Sequence, residues 1–188
     1  MEPHTIPDSD RRLLLGLARQ AVAATTGAAT LPARPVAASN VVDEARGAFV
    51  TLHKLGRLRG CVGLIEPVKP LWLSVRDAAT SAASRDPRFG PVTADELTDL
   101  VIDISALTPM RKIDSVDEIV VGVHGLYVDD GRRSGLLLPQ VPGEWGWDRD
   151  AFVHHTLRKA GLPATALESP RTQLYTFMAE VFAEQERD

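Results

Sequence analysis

Cysteine is nearly absent. The 188 residues contain one, Cys61, so the chain can form no internal disulfide and must be held by packing. A protein built this way suits a reducing compartment, and a cytoplasmic location is expected. Long apolar runs are missing as well: none approaches the ~20 residues needed to cross a bilayer. The opening stretch "MEPHTIPDSDRRLLLG" is acidic and polar before its short apolar part, without the basic start and small-residue cleavage site of a secretory leader. Excess positive charge is also lacking. The net charge of −4 argues against a general nucleic-acid binder, which leaves that function a distant third choice. There is no G-x-x-x-x-G-K-S/T, no strand followed by G-x-G-x-x-G, no H-E-x-x-H and no C-x-x-C, so nucleotide and metal binding have no local motif. No internal repeat is found.

What is present is an uneven charge distribution. From His53 to Arg88 there are seven basic residues (Lys54, Arg57, Arg59, Lys69, Arg76, Arg85, Arg88) and three acidic ones (Glu66, Asp77, Asp86). That segment is +4, and the remainder is therefore −8. A basic region on an acidic protein suggests an anionic ligand such as a carboxylate or phosphate; the alternative is a set of solvated charges on helix and strand faces.

The periodicities predict a mixture of helices and strands without a βαβ rhythm. "SDRRLLLGLARQAVAATTG" reads as a helix capped by Ser9 or Asp10 and ended by Gly27. Residues 28–46 carry Pro32 and Pro35 and read as a connecting segment. "AFVTLHKLGRLRGCVGLIE" reads as two strands around a turn at 54–57, with Phe49 and Thr51 on one face and Val50 and Leu52 on the other. A helix follows over "PLWLSVRDAATSAASRD", its apolar face made by Leu71, Val75, Ala78, Ala79 and Ala82. Thr93/Glu96 and Ser115/Glu118 have the spacing of capping boxes. A buried strand is expected within "LTDLVIDISALTP", a hairpin around Asp130-Gly131, and a helix capped by Asp148 with Phe152, Val153, Leu157 and Ala160 on its stripe. "LLLPQVPGEWGWD" reads as a stiff loop. "QLYTFMAEVFAE" reads as one strand. The pattern favours an α+β fold with a largely antiparallel sheet and flanking helices.

Cys61 sits in "GRLRGCVGL", between glycines and close to Arg57 and Arg59. A thiol attacks as thiolate, and nearby cations favour that form. Strand alternation would place Arg59 on the face of Cys61. Gly60 and Gly63, lacking side chains, would let a ligand approach the backbone. His53, near the end of the preceding strand, is a candidate base across the hairpin. The other reading is packing, because free cysteine is among the most buried residue types. Arg88, in "DPRFGPV", is a candidate fork for an anion. Gln140 and Glu144 lie in the stiff loop beside Trp145 and Trp147 and are candidates to orient a substrate, although the two tryptophans also suit closure over a core. The histidines His4, His53, His124, His154 and His155 form no recognisable metal set, and His154 and His155 are neighbours on a helix that do not share a face. No metal and no cofactor is expected.

Several stretches taken together resemble the AMMECR domain, called AmmeMemoRadiSam system protein A in prokaryotes: "FVTLHKLGRLRGCVG", "PLWLSVRDAATSAASRDPRFGPVTADEL", "VIDISALTP", "GVHGLYV", "GLLLPQV", "GWDRDAFVHHTLRKAGLP" and "FMAEVF". The order and spacing match over nearly the whole chain, from about Leu13 to Phe182. The most distinctive is L-R-G-C-V-G, Leu58 to Gly63. The resemblance implies one domain over 1–188, with two lobes around a cleft and the L-R-G-C stretch near it. It also implies association with a Memo-like protein and a radical SAM protein. It supplies no established reaction. Thr156 stands where many relatives carry a second cysteine, so a two-thiol mechanism is not expected here. Two functions follow from the residues and the resemblance together: an enzyme or enzyme component acting on a small anionic or aromatic substrate, and a non-catalytic adaptor for one of those partners.

Overall fold

Two hydrophobic cores organise the chain. The structure, a computed structural model, describes residues 5–185; His4 lies outside them. One compact unit comprises residues 1–109 and 180–188, and the other residues 110–179.

The first unit is a four-stranded sheet with two helices on one face. Its strands are β1 (Ala48–Lys54), β2 (Arg57–Leu64), β3 (Leu100–Leu107) and β8 (Ala179–Ala183), in the order β2-β1-β3-β8. Both β2 and β3 pair antiparallel with β1. The β1–β2 hairpin turns on Leu55 and Gly56, both at positive φ (51° and 71°), the combination whose twist matches the flanking strands. Helices α1 (Asp8–Thr25) and α2 (Leu71–Ser84) cover the face presented by Val50, Leu52, Ile102 and Ile104, all fully buried. The predicted stripe of α2 is buried throughout; Leu71 and Val75 alone contribute roughly 1.5–3 kcal/mol each.

Asp10 does not cap α1. Pro7 occupies that position, and the Asp10 carboxylate is buried, accepting the Ser39 N–H at 3.2 Å and the Ser39 hydroxyl. It thereby ties the connecting segment to the helix. A further tie is Arg34, which forks onto Asp43 at 2.7 Å through both Nε and Nη2.

The second unit is also an antiparallel sheet, in the order β4-β7-β5-β6. Its strands are β4 (Arg111–Ile113), β5 (Gly125–Asp129), β6 (Ser134–Leu137) and β7 (Gln173–Phe177). Helix α4 (Arg149–Lys159) packs on β5 and β6, burying Phe152, Val153 and Leu157. Asp148 caps it as expected, accepting the Ala151 N–H at 2.8 Å. Both capping boxes form, at Thr93/Glu96 and Ser115/Glu118.

Two expectations need correction. "QLYTFMAEVFAE" is not one strand: the chain breaks at Met178, leaving β7 in one sheet and β8 in the other. Alternation continues locally across the break, so side-chain pattern alone cannot reveal that the backbone partners change. The expected stiff loop contains a short helix, α3 (Val141–Trp145), with proline in its first turn and Gly146 left-handed at its end. The α+β class with antiparallel sheets and flanking helices is as predicted. Among the described residues, no helix is long and apolar enough to cross a membrane.

Candidate functional site

The face of the first sheet opposite the helices carries Thr51, His53, Cys61 and Asp103. Register decides its membership. Thr51 lies directly opposite Cys61 on β2 and Asp103 on β3; two residues along β1, His53 lies on the same face. Cys61, Thr51, His53 and Asp103 are all partly buried, so the thiol is neither sealed in the core nor fully in solvent.

Cys61 lies on an edge strand. Its N–H points outward, to Asp86 Oδ2 at 2.9 Å, rather than inward to β1. The Cys61–Thr51 pair is therefore of the non-hydrogen-bonded kind, in which cross-strand side chains come closest. Accordingly the Thr51 hydroxyl donates to the Cys61 Sγ at 3.2 Å. His53 Nε2 meets Asp103 Oδ2 at 3.1 Å, each side chain 32% exposed. The candidate base is thus oriented by a carboxylate and stands one diagonal from the thiol, but the thiol's own hydrogen bond is to Thr51.

Arg59 is not the cation beside Cys61. The register pairs Leu52 with Gly60 and His53 with Leu58, which leaves Arg59 as the extra residue of a bulge. The alternation that would align it with Cys61 breaks there. Its guanidinium instead forks onto Glu96, at 3.0 and 2.8 Å, and donates to the carbonyls of Gly90 (3.0 Å) and Pro91 (3.2 Å). Lys54 adds a second cation on Glu96 at 3.0 Å. The Arg59 fork, with backbone and Lys54 contacts, holds the Glu96 carboxyl well below the usual range against the opposing effect of burial. Arg59 is raised in turn, chiefly by its bond to Glu96.

Arg88 is the arginine that reaches Cys61. Its Nε and Nη2 fork onto Asp86 at 2.9 and 2.7 Å, and Nη2 also lies 3.4 Å from the Cys61 carbonyl. The Arg88 fork is the main reason the Asp86 carboxyl is held far below its ordinary range. Phe89 lies beneath both guanidiniums, 5.5 Å from that of Arg88 and 6.0 Å from that of Arg59.

Gly60 and Gly63 have packing roles. A Cβ on Gly60 would lie 2.3 Å from the Ala82 carbonyl oxygen of α2, and one on Gly63 would lie 2.5 Å from the Phe49 ring. Protein fills the space that was expected to admit a ligand.

Gln140 and Glu144 belong to the second unit, where both are exposed at the start and within α3. Beside them is a ring stack: Trp145 on Trp147 with centroids 6.0 Å apart, and Trp147 face to face with His155 at 3.8 Å. Trp147 packs against that unit's core, whereas Trp145 is 69% exposed. Burial, then the charges of Arg158 and His154, lower the His155 pKa. Thr156 is fully buried, its hydroxyl donating to the Phe152 carbonyl at 2.8 Å. Among the described residues, no three His, Cys, Asp or Glu side chains are grouped to hold a metal ion.

A groove of about 930 Å³ in the first unit does not have Cys61 in its lining. Arg12, Arg19, Gly56, Asp99 and Glu184 contribute to its walls. Arg19 is committed to Glu184 and to the carbonyls of Leu97 and Leu100, so the groove carries no chemistry comparable to the sheet face.

Sequence reading missed Thr51, Asp86 and Asp103. A period-two pattern of Val101, Asp103 and Ser105 within an apolar strand was the available signal for Asp103. Nothing local marked Asp86, whose role depends on a contact with residue 61.

The AMMECR1 family model matches residues 15–182. The chain belongs to the AMMECR1 family. A Methanothermobacter thermautotrophicus protein is 48% identical over 151 residues, covering 77% of this chain and 79% of that relative. A Thermococcus gammatolerans protein is 40% identical over 192 residues, covering 97% and 94%. The crystal structure of the uncharacterised protein PH0010 from Pyrococcus horikoshii superposes with a TM-score of 0.85 at 39% identity, covering 96% of this chain and 94% of that one.

Proposed function

We propose that this AMMECR1-family chain is an enzyme, or the reacting component of one, acting on a small anionic or aromatic substrate. Cys61 is the nucleophile or acid, His53 oriented by Asp103 moves the proton, and Arg88 receives the anionic group. The observation that carries the reading is the row across three strands: Cys61 on Thr51 at 3.2 Å and His53 on Asp103 at 3.1 Å, on one face. An imidazole bonded to a carboxylate through one nitrogen is fixed in orientation and keeps the other nitrogen for proton transfer. Arg59, Gly60 and Gly63 support the frame of this site rather than the ligand.

The test is adduct formation. Folded protein is incubated with a small-molecule extract and examined by intact mass. A covalent adduct on Cys61 is expected, abolished in Cys61→Ser and slowed in His53→Asn, with the Tm of Cys61→Ser within a few degrees of the parent. Loss of stability in Cys61→Ser without any adduct in the parent would reduce Cys61 to a packing residue. A second reading, an adaptor docking a Memo-like or radical SAM protein, draws support from the exposed apolar side chains Val120, Val121 and Val123; co-purification of such a partner undisturbed by Cys61→Ser would favour it.

A further inference from the structure

Loop 85–92 grips β2 by its free edge, and it does so at Cys61. Asp86 accepts the Cys61 N–H, while Arg88 approaches the Cys61 carbonyl. An edge strand leaves both groups without a strand partner, and here the two side chains replace the missing strand. Asp86 also accepts the Arg88 backbone N–H at 3.1 Å. One carboxylate therefore fixes the loop, the direction of the Arg88 fork and the backbone of residue 61.

The pair is neutral in sum but not in presentation. The Asp86 side chain is 2% exposed and the Arg88 side chain 54%. A solute arriving at Cys61 meets the guanidinium, not the carboxylate. The guanidinium lies at the Cys61 backbone, its Nη2 3.4 Å from the carbonyl; Asp86 raises the Arg88 pKa most, and Cys61 adds in the same direction. Two neighbouring pairs are Arg59 with Glu96 and His53 with Asp103.

Resting on the reading of Cys61 as the reacting group, we infer that Asp86 is the positioning residue of this site. By holding Arg88 against the Cys61 backbone, it makes the thiol selective for carboxylate-bearing reaction partners. Arg88 supplies the positive field, and Asp86 sets where that field acts.

Because Cys61 is the only cysteine, alkylation reports on it alone. The measurement is the ratio of rates for iodoacetate and iodoacetamide on the folded protein, two probes that differ in one carboxylate. Accessibility and thiolate fraction affect both probes and cancel in the ratio. Arg88→Gln should lower the ratio about threefold, the effect of one charge acting through a water-like dielectric at side-chain distance, and added salt should shrink that difference. Asp86→Asn decides between positioning and simple charge. Removing an anion by itself raises the ratio; losing the anchor of Arg88 lowers it. A fall is expected in Asp86→Asn, and an unchanged or raised ratio overturns the positioning role. Should Asp86→Asn not fold, an unchanged ratio in Arg88→Gln overturns the inference by itself. If the parent Cys61 resists both probes until unfolded, the reacting-group reading fails first and the inference falls with it.

Discussion

Replacing Gly60 with alanine tests why the motif around Cys61 contains that glycine. The new Cβ would sit 2.3 Å from the Ala82 carbonyl oxygen and 3.2 Å from its carbonyl carbon. Neither atom can rotate away, since both belong to the backbone of α2. Restoring an ordinary contact requires the helix and β2 to separate by about 1 Å, and a gap of that size forfeits a quarter to a half of each dispersion contact across it. The contacts at risk involve Leu71, Val75, Ala78, Ala79 and Ala82, which are buried against the sheet. Overpacking typically costs ~1–3 kcal/mol, and a loss of about 2–3 kcal/mol is expected here, which for a chain of this size corresponds to a Tm lowered by roughly 4–12 °C. Gly16→Ala provides a control of opposite sign. Gly16 lies inside α1, is exposed and has nothing within 4 Å of its Cβ position, so alanine should stabilise by about 0.5–1 kcal/mol through helix propensity. Urea and thermal unfolding followed by circular dichroism measure both. If Gly60→Ala proves as stable as the parent, the close approach of α2 is not what that glycine serves.

Acid should act through Glu96, among other carboxylates. Its folded pKa is depressed, chiefly by the Arg59 fork, so its contribution is present above the ordinary glutamate value of about 4.3 and is lost as pH falls below it. Glu96→Gln should be about 1–2 kcal/mol less stable at pH 7 and lose less on going to pH 3; urea midpoints at several pH values read this, and parallel curves for the two proteins refute it. Phe152→Ala should cost about 3–5 kcal/mol, as expected when a large side chain is removed from a packed core, because Phe152 is fully buried among Leu126, Val128 and Leu157. Hydrogen exchange should show the lost protection in residues 110–179, and protection unchanged there would contradict its place in that core.

The local elements were legible in the sequence because their causes are local. The spacing of Leu71, Val75 and Ala79 requires only a helix; Asp148 and the two capping boxes act within a turn; Gly56 marks a tight connection. Several stretches together pointed to the family, and the most distinctive, L-R-G-C-V-G, directed attention to Cys61. What that cysteine touches is a different kind of fact. Thr51, Asp103 and Asp86 join it through strand register, edge position and a loop 25 residues later in the chain, none of which has a period. The bulge at Arg59 shows the reason most directly. Alternation predicts faces only while strands stay in register, and one extra residue sent the expected cation to Glu96 and left Arg88 as the arginine at the Cys61 backbone. Composition and periodicity therefore determined the long helices, most of the strands and the antiparallel α+β class, but not the break at Met178 or the short helix α3. Only the tertiary structure decided which side chains meet at Cys61, because hydrogen bonds between distant segments depend on how the elements pack and not on their order along the chain.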